Sequence, residues 1–365
     1  MFKLNKFKKV ISIVTIIMLM VSLTACTSAE NNNTDDKNNT KNKTRYESEF
    51  LELFDTVTRI VGFAESEAEF KEYSQIIYDN LKEYHELYDI YNDYEGINNI
   101  KTINDNAGIQ PIKVDQKIID LLKFCKEAYN ITNGKTNIAF GSVLKIWHDY
   151  RDEGISDPEN AKLPDIKDLE KASKHTDINN IIIDETNSTV FLKDPDMRLD
   201  VGAVAKGYAT EQISKIAKES GLTSGLISVG GNVRAISQNS ETKAPWNVGI
   251  QNPDTQSENQ VLKVVRINDM SLVTSGDYER YYTVNGKQYN HIIDTETLFP
   301  AEYFTSVSII IQDSGLADAL STALFDMPFE EGLELINSIP DAEAMWILKD
   351  GTFKYSEGFE KLIKN

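Results

Sequence analysis

Apolar and polar positions follow two rhythms along this chain, and the change falls near its middle. In "SEAEFKEYSQIIYDNLKEYHELYDIY" (66–91), Phe70, Tyr73, Ile77, Leu81, Tyr84 and Leu87 recur every three or four residues. That spacing predicts a long amphipathic helix. "VDQKIIDLLKFCKEAYNITNG" (114–134) predicts a second, with Asp115 near its start and Asn133-Gly134 at its end. Shorter helices are predicted at 140–154 and 164–176, and another at 203–221 that stops on Lys-Glu-Ser-Gly. β-Branched and aromatic residues predict a strand over 50–64, and further strands at 180–185, 188–194 and 197–202. "SGLISVGGNVRAI" reads as two strands around Gly230-Gly231, and "WNVGIQNP" and "VLKVVRINDMSLVTSG" as continuations of the same sheet. "RYYTVNGKQYNHIID" is a hairpin turning at Asn285-Gly286, and 344–356 another turning at Asp350-Gly351. Between them come a strand at 305–312 and a helix at 313–327. Helices lead the first half and strands the second. The expected fold class is therefore α+β: one large mixed-sheet domain with helices packed around it, not a doubly wound sheet.

The N-terminus follows neither rhythm. "MFKLNKFKKV" has four lysines and no acid, the apolar "ISIVTIIMLMVSL" follows, and "LTAC" ends the run at Cys26. A basic start, a short apolar core and small residues before a cysteine resemble a bacterial lipoprotein signal. The expected organisation is a signal peptide at 1–25, a lipidated Cys26 with a polar tether at 26–45, and a globular domain at 46–365. The tether, rich in Asn, Thr, Lys and Asp, cannot bury enough surface to offset its chain entropy. The expected location is the membrane surface, lipid-anchored and facing away from the cytoplasm.

The formal charge of −19 argues against nucleic acid as a general partner. Residues 1–25 hold four lysines and no acid, so the remainder carries −23. An anionic ligand would need a cation or a local basic pocket. With Cys26 lipidated, Cys125 is alone, which excludes an internal disulfide and a cysteine metal site; Cys125 reads as a core residue. The four histidines, His85, His148, His175 and His291, form no HExxH-type pair. Neither GxGxxG after a strand nor GxxxxGK[ST] occurs.

Four segments place polar residues in apolar settings. In "RLDVGAVAKGYATE", Asp200 ends a strand and a helix opens near Ala203. A helix start can hold an anion, and Lys206 could reach it; equally, Asp200 could cap the helix with Lys206 in water. In "ISVGGNVRAI" the paired glycines allow close backbone approach or a tight turn. His291 precedes the apolar pair Ile292-Ile293 close to Asp294, as a proton shuttle or as a hydrogen-bonded structural residue. Asp277, Glu279 and Arg280 read as loop charges. In "ADALSTALF", Asp318 and Thr322 fall near 200° and about 240° from Leu316, one turn apart on the face opposite Leu320 and Ala323. Two oxygens so spaced suit Mg²⁺ or Ca²⁺, and they also suit a solvated face.

Taken in order with "LFDTVTRI" and "WNVGIQNP", these segments resemble the flavin transferase (ApbE) family, the FAD:protein FMN transferases. The pieces carrying the resemblance are "DVGAVAKGYA", "SVGGNVRAI", the 274–294 segment and "LADALSTALF", within a match from about 50 to about 355. The resemblance implies an Mg²⁺-dependent transferase that takes FAD as substrate. FMN would pass to a Thr or Ser hydroxyl of an exported acceptor protein, with release of AMP. An FAD pyrophosphatase and a non-catalytic flavin-binding lipoprotein are the alternatives. It implies metal ligands at Asp318, Thr322 and the backbone carbonyl of Ala203. Flavin-binding positions are implied at Phe54, Tyr91, Asn137, Ile138, Ala139, Asp200, Lys206 and Ile292, and a base at His291. The chain departs from the family's usual Met-Gly-Thr at Phe54-Asp55-Thr56, from its Phe/Tyr-Asp in "TNIAFGSV", and from its HIIDPxTGxP at "HIIDTETLFP".

Overall fold

The computed structural model describes residues 43–364. In chain order these run β1 (Thr44–Phe50), β2 (Thr58–Ala64), α1 (Glu67–Tyr88), α2 (Ile100–Asp105), β3 (Ile112–Lys113), α3 (Gln116–Ile131), α4 (Gly141–Ser156) and α5 (Ile166–Ala172). Then come β4 (Ile181–Asp184), β5 (Thr189–Leu192), α6 (Ala205–Glu219), β6 (Gly225–Val229), β7 (Asn232–Ile236), β8 (Trp246–Gln251), β9 (Val261–Ile267) and β10 (Ser271–Gly276). The chain closes with β11 (Tyr281–Val284), β12 (Lys287–Asn290), β13 (Phe304–Ile311), α7 (Ser314–Phe325), α8 (Phe329–Asn337), β14 (Glu343–Leu348), β15 (Phe353–Tyr355) and α9 (Phe359–Leu362).

Eight strands form the main sheet in the order β1-β2-β6-β7-β10-β13-β14-β15. Every neighbouring pair is antiparallel. Successive side chains of a strand leave opposite faces of the sheet. Here both faces are covered, which is why the β13 run Ile309-Ile310-Ile311 is apolar without alternation. Ile309 and Ile311 join the core under α7 and α8, whereas Ile310 packs on the other face against the β8–β9 ribbon and α9. β2 divides the same way: Ile60 and Ala64 face α1, α3 and α6, and Val61 and Phe63 face the ribbon. The result is three layers, helices over sheet over ribbon, and the α+β class stands.

Two buried contacts fix α7, the helix of "ADALSTALF", against α6. Glu211 Oε2 accepts from Arg234 Nε at 3.0 Å and from the Ser314 backbone N–H at 3.1 Å, which ties α6 to β7 and to the first residue of α7. At Gly207 the helices come so close that a Cβ would sit 2.3 Å from the Ser314 carbonyl oxygen and 2.4 Å from Asp318 Cβ.

Several elements differ from expectation. The strand expected over 50–64 is interrupted by a turn at Leu53–Asp55, where Glu52, Phe54 and Asp55 have φ of 93°, 54° and 53°. These left-handed positions break the strand. β8 and β9 leave the main sheet and form a separate two-stranded ribbon, to which Ile363 adds one isolated bridge at Val265. Residues 197–202 form no strand; Arg198 makes one isolated bridge to Phe140. β1 reaches back to Thr44, so Thr44 and Arg45, expected in the tether, pair with Ala64 and Phe63 of β2. The short helices α2, α8 and α9 were not expected. Cys125 is a core residue as read, and burial pushes its thiol pKa up. The signal peptide, the lipidated Cys26 and the tether through residue 42 lie outside the described residues. No described helix is long and apolar enough to cross a membrane.

Candidate active site

The face of α7 that carries Asp318 is interior. Ala317 through Ser321 and Ala323 through Phe325 are all buried, which removes the solvated-face reading; Thr322 is half-buried. Asp318 is 4% exposed, and its Oδ2 accepts from the Gly207 N–H at 2.7 Å. Burial pushes its carboxyl pKa up, against the opposing pull of Lys206, the Gly207 N–H and the Asn232 side chain. Ser321 is structural: its Oγ donates to the Asp318 carbonyl at 2.9 Å and meets Ser275 Oγ of β10 at 2.8 Å. Ala203 lies in the turn that closes with Val204 N–H on the Val201 carbonyl, immediately before α6. The Gly207–Asp318 bond therefore brings the start of α6, with Ala203 and Lys206, onto α7.

His291 sits one residue past β12, not on the strand as expected. Its Nδ1 lies 3.1 Å from the Arg280 carbonyl oxygen. A carbonyl only accepts, so Nδ1 carries the hydrogen and Nε2 is left with its lone pair. Burial, followed by the charges of Lys206 and Arg280, lowers the imidazole pKa to about 3. Lys206 also acts on Glu279, whose pKa burial raises and which the Asp318 charge raises further. Lys206, Asp318, Glu279, Arg280 and His291 thus form one electrostatic neighbourhood. Glu279 and Arg280, read from sequence as loop charges, belong to it.

Asp200 opens a second wall. Its Oδ1 accepts from Gly202 N–H at 2.9 Å, and its own N–H donates to the Ile138 carbonyl at 2.8 Å. The segment 136–139 is bound to α7 as well, through Thr136 Oγ1 to the Ala319 carbonyl at 2.7 Å. Asn137 spans outward, Nδ2 to the Thr176 carbonyl at 3.0 Å and Oδ1 to the Ala139 N–H at 2.9 Å. Ile138 and Ala139 have their side chains in the core, as has Ile292, whose N–H is taken by Asn290 Oδ1. At these three positions the side chains are taken up by the hydrophobic core.

Tyr91 is exposed and Phe54 half-buried. The Tyr91 hydroxyl meets His148 Nδ1 at 3.0 Å, and His148 Nε2 lies 3.8 Å from Asp200 Oδ2. Phe54 donates its N–H to His85 Nδ1 at 3.2 Å and sets its ring edge-on to the same imidazole. Asp89 links the two: it accepts from the Tyr91 N–H at 2.6 Å and from the Tyr94 hydroxyl at 2.8 Å, and Tyr94 faces His85. The sequence offered no signal for His148, because its partner Tyr91 is 57 positions away.

Cations around a buried acid and a neutral imidazole suit an enzyme that holds an anion and moves a proton, here carried on an antiparallel-sheet α+β fold. The chain belongs to the ApbE family, whose profile matches residues 54–346. An FAD:protein FMN transferase of Klebsiella pneumoniae is 31% identical over 252 residues, covering 69% of this chain and 75% of that protein. One from Treponema pallidum is 33% identical over 278 residues, 73% of this chain and 75% of that protein. Among solved structures, the ApbE protein of Thermotoga maritima superposes with a TM-score of 0.77 at 29% identity, over 88% of this chain and 100% of that one.

Proposed function

We propose that this chain is an Mg²⁺-dependent FAD:protein FMN transferase that moves FMN from FAD onto a threonine or serine hydroxyl of an exported acceptor protein and releases AMP. The observation that carries this reading is the buried Asp318 carboxylate, bonded to the start of α6 beside Lys206. The donors fit the ion: a buried carboxylate whose pKa is raised by burial, the Thr322 hydroxyl one turn on, and the Ala203 carbonyl. All are oxygen ligands of the kind Mg²⁺ takes. Bound there, the ion would offset phosphate charge and polarise the phosphorus–oxygen bond.

The acceptor oxygen bonds to the phosphorus of the FMN half. The bond from that phosphorus to the bridging oxygen breaks, and that oxygen leaves with AMP. His291 Nε2 takes the hydroxyl proton. The low imidazole pKa reflects burial and the Lys206 and Arg280 charges. Phosphates paired with those cations would raise its proton affinity, so the base gains strength with substrate in place. Asp200 and Tyr91 hold the flavin nucleotide at the opposite wall, with Phe54 at the rim.

The test is incubation of purified protein with FAD, Mg²⁺ and a threonine-bearing acceptor domain. Covalent flavin fluorescence on the acceptor in a denaturing gel is the expected outcome. FMN plus AMP with an unlabelled acceptor would instead make the chain an FAD pyrophosphatase, and intact FAD would leave a flavin-binding protein. We also propose that Cys26 is lipidated and holds the enzyme on the outer face of the membrane, because "LTAC" follows a basic and apolar start. Cys26→Ser should end incorporation of labelled palmitate; undiminished labelling would refute the anchor.

A further inference from the structure

α4 is held in place from both ends. At its N-terminus, a Cβ on Gly141 would sit 2.5 Å from the Arg198 carbonyl oxygen, so the helix starts hard against the segment that leads to Asp200. Near its C-terminus, a Cβ on Gly154 would sit 2.7 Å from the Tyr282 ring of the β11–β12 hairpin. Between them Trp147 is 4% exposed and donates Nε1–H to the Leu298 carbonyl at 3.0 Å, with its ring edge-on to Tyr282 and Phe299. The next residue, His148, is therefore carried on a rigid element, and its side chain is only 19% exposed.

His148 connects Tyr91 to Asp200. A carboxylate only accepts, so the Asp200 charge, 3.8 Å from Nε2, favours the tautomer with hydrogen on Nε2. Nδ1 is then an acceptor, and the Tyr91 hydroxyl donates to it at 3.0 Å. The Tyr91 backbone is fixed separately by Asp89, at 2.6 Å. Tyr91 is thus pinned at backbone and hydroxyl while the residue stays 57% exposed. A large aromatic ring that is anchored at its polar tip and still exposed can serve as a stacking surface for a planar heterocycle.

We propose that His148 is a positioning residue for FAD: it holds the Tyr91 ring against the Asp200 wall in the orientation that stacks on a planar ring of the dinucleotide. The inference rests on the reading of Tyr91 and Asp200 as flavin-nucleotide contacts. Its action is on binding rather than on the chemical step, since it works through Tyr91 and Asp200.

The experiment measures FAD affinity by flavin fluorescence at saturating Mg²⁺, together with kcat and KM for FMN transfer. His148→Ala and Tyr91→Phe should each weaken FAD binding by about three- to tenfold, the worth of one hydrogen bond, and raise KM while kcat changes little. The double variant should be no weaker than either single one, because both remove the same bond. His148→Asn, whose Oδ1 can stand near the place of Nδ1, should recover most of the affinity. Unchanged FAD affinity in His148→Ala, losses that multiply in the double variant, or a fall in kcat at constant KM would each overturn the proposal. If the parent binds FAD but transfers nothing, the transferase reading fails while the binding comparison still decides the role of His148. A parent that does not bind FAD overturns both.

Discussion

Asp326 closes α7 and is 1% exposed, yet one of its carboxyl oxygens has no hydrogen-bond partner and the other accepts from Thr295 N–H at a long 3.4 Å. Burial first, then the neighbouring Asp294 charge, pushes its pKa up from 3.8 to about 8; Lys135 opposes the rise and Glu296 adds to it. An acid raised in this way is protonated in the folded chain and ionised in the unfolded chain between those two values. The folded state then holds the extra proton, so stability falls as pH rises through the window. The contribution is full below the unfolded value and gone above about 8. Asp326→Asn keeps the shape without the titrating charge. It should be about 1–3 kcal/mol more stable than the parent at pH 8, and its pH dependence should be flatter. Urea unfolding at pH 5.5 and pH 8 checks this; equal midpoints for the two proteins at the higher pH would refute it. Asp318 shows a different limit. Its spacing from Thr322 was visible in the sequence, but a helical wheel cannot tell a wet polar face from an interior one. Only the packing of α7 between α6 and β10 decides that, and it buries the residue.

At the scale of elements, the clearest sequence signals were those with a local cause. Gly230-Gly231 turn with φ of 56° and 89°, and Asn285-Gly286 with 52° and 81°, as two-residue hairpins require. α1, α3, α6 and α7 also stand where their apolar spacing put them. The β8–β9 ribbon was misplaced although β8 carried a clue: Trp246, Val248 and Ile250 are buried while Asn247, Gly249 and Gln251 are exposed. Such clean alternation marks a strand covered on one face, unlike the doubly covered β13. The α6–α7 contact was not legible, because nothing in "AKGYA" says what approaches its glycine. That contact yields a prediction. Gly207→Ala puts a methyl group within 2.4 Å of Asp318 Cβ and against the Ser314 carbonyl, neither of which can rotate away. The helices must separate and stretch the 2.7 Å bond from Gly207 N–H to Asp318. We expect a loss of about 1–3 kcal/mol in stability, as for other overpacked sites. Activity should fall further than the stability loss accounts for, since the displaced group is a metal ligand in the proposed site. Thermal unfolding and initial rates below the transition would show it, and a variant as active and as stable as the parent would contradict the close packing.

For the whole molecule the difficulty is charge. A chain with 57 acids against 38 basic residues repels a dinucleotide carrying two phosphates, and screening confines that repulsion to roughly 8–10 Å at moderate salt. Binding must therefore be decided locally, where Lys206 and Arg280 face His291 and where Asp318 adds a further negative charge unless a cation sits on it. Without a divalent ion, Asp318 and the phosphates would oppose each other. With one, the same carboxylate becomes an attractor. Removing divalent ions with EDTA should therefore weaken FAD binding by about tenfold or more, and Mg²⁺ should restore it, as followed by flavin fluorescence without any acceptor present. Asp318→Asn separates the two roles of the carboxylate. Its amide oxygen can still accept from Gly207 N–H, so the helix contact survives, but the charge that attracts the ion is gone. In that variant FAD binding should become indifferent to Mg²⁺ and transfer should cease. If the parent binds FAD equally well in EDTA, the cation does not bridge protein and phosphate. If Asp318→Asn keeps its Mg²⁺ response, the ion is held elsewhere. Either result would remove Asp318 from the centre of the site, whatever the acceptor proves to be.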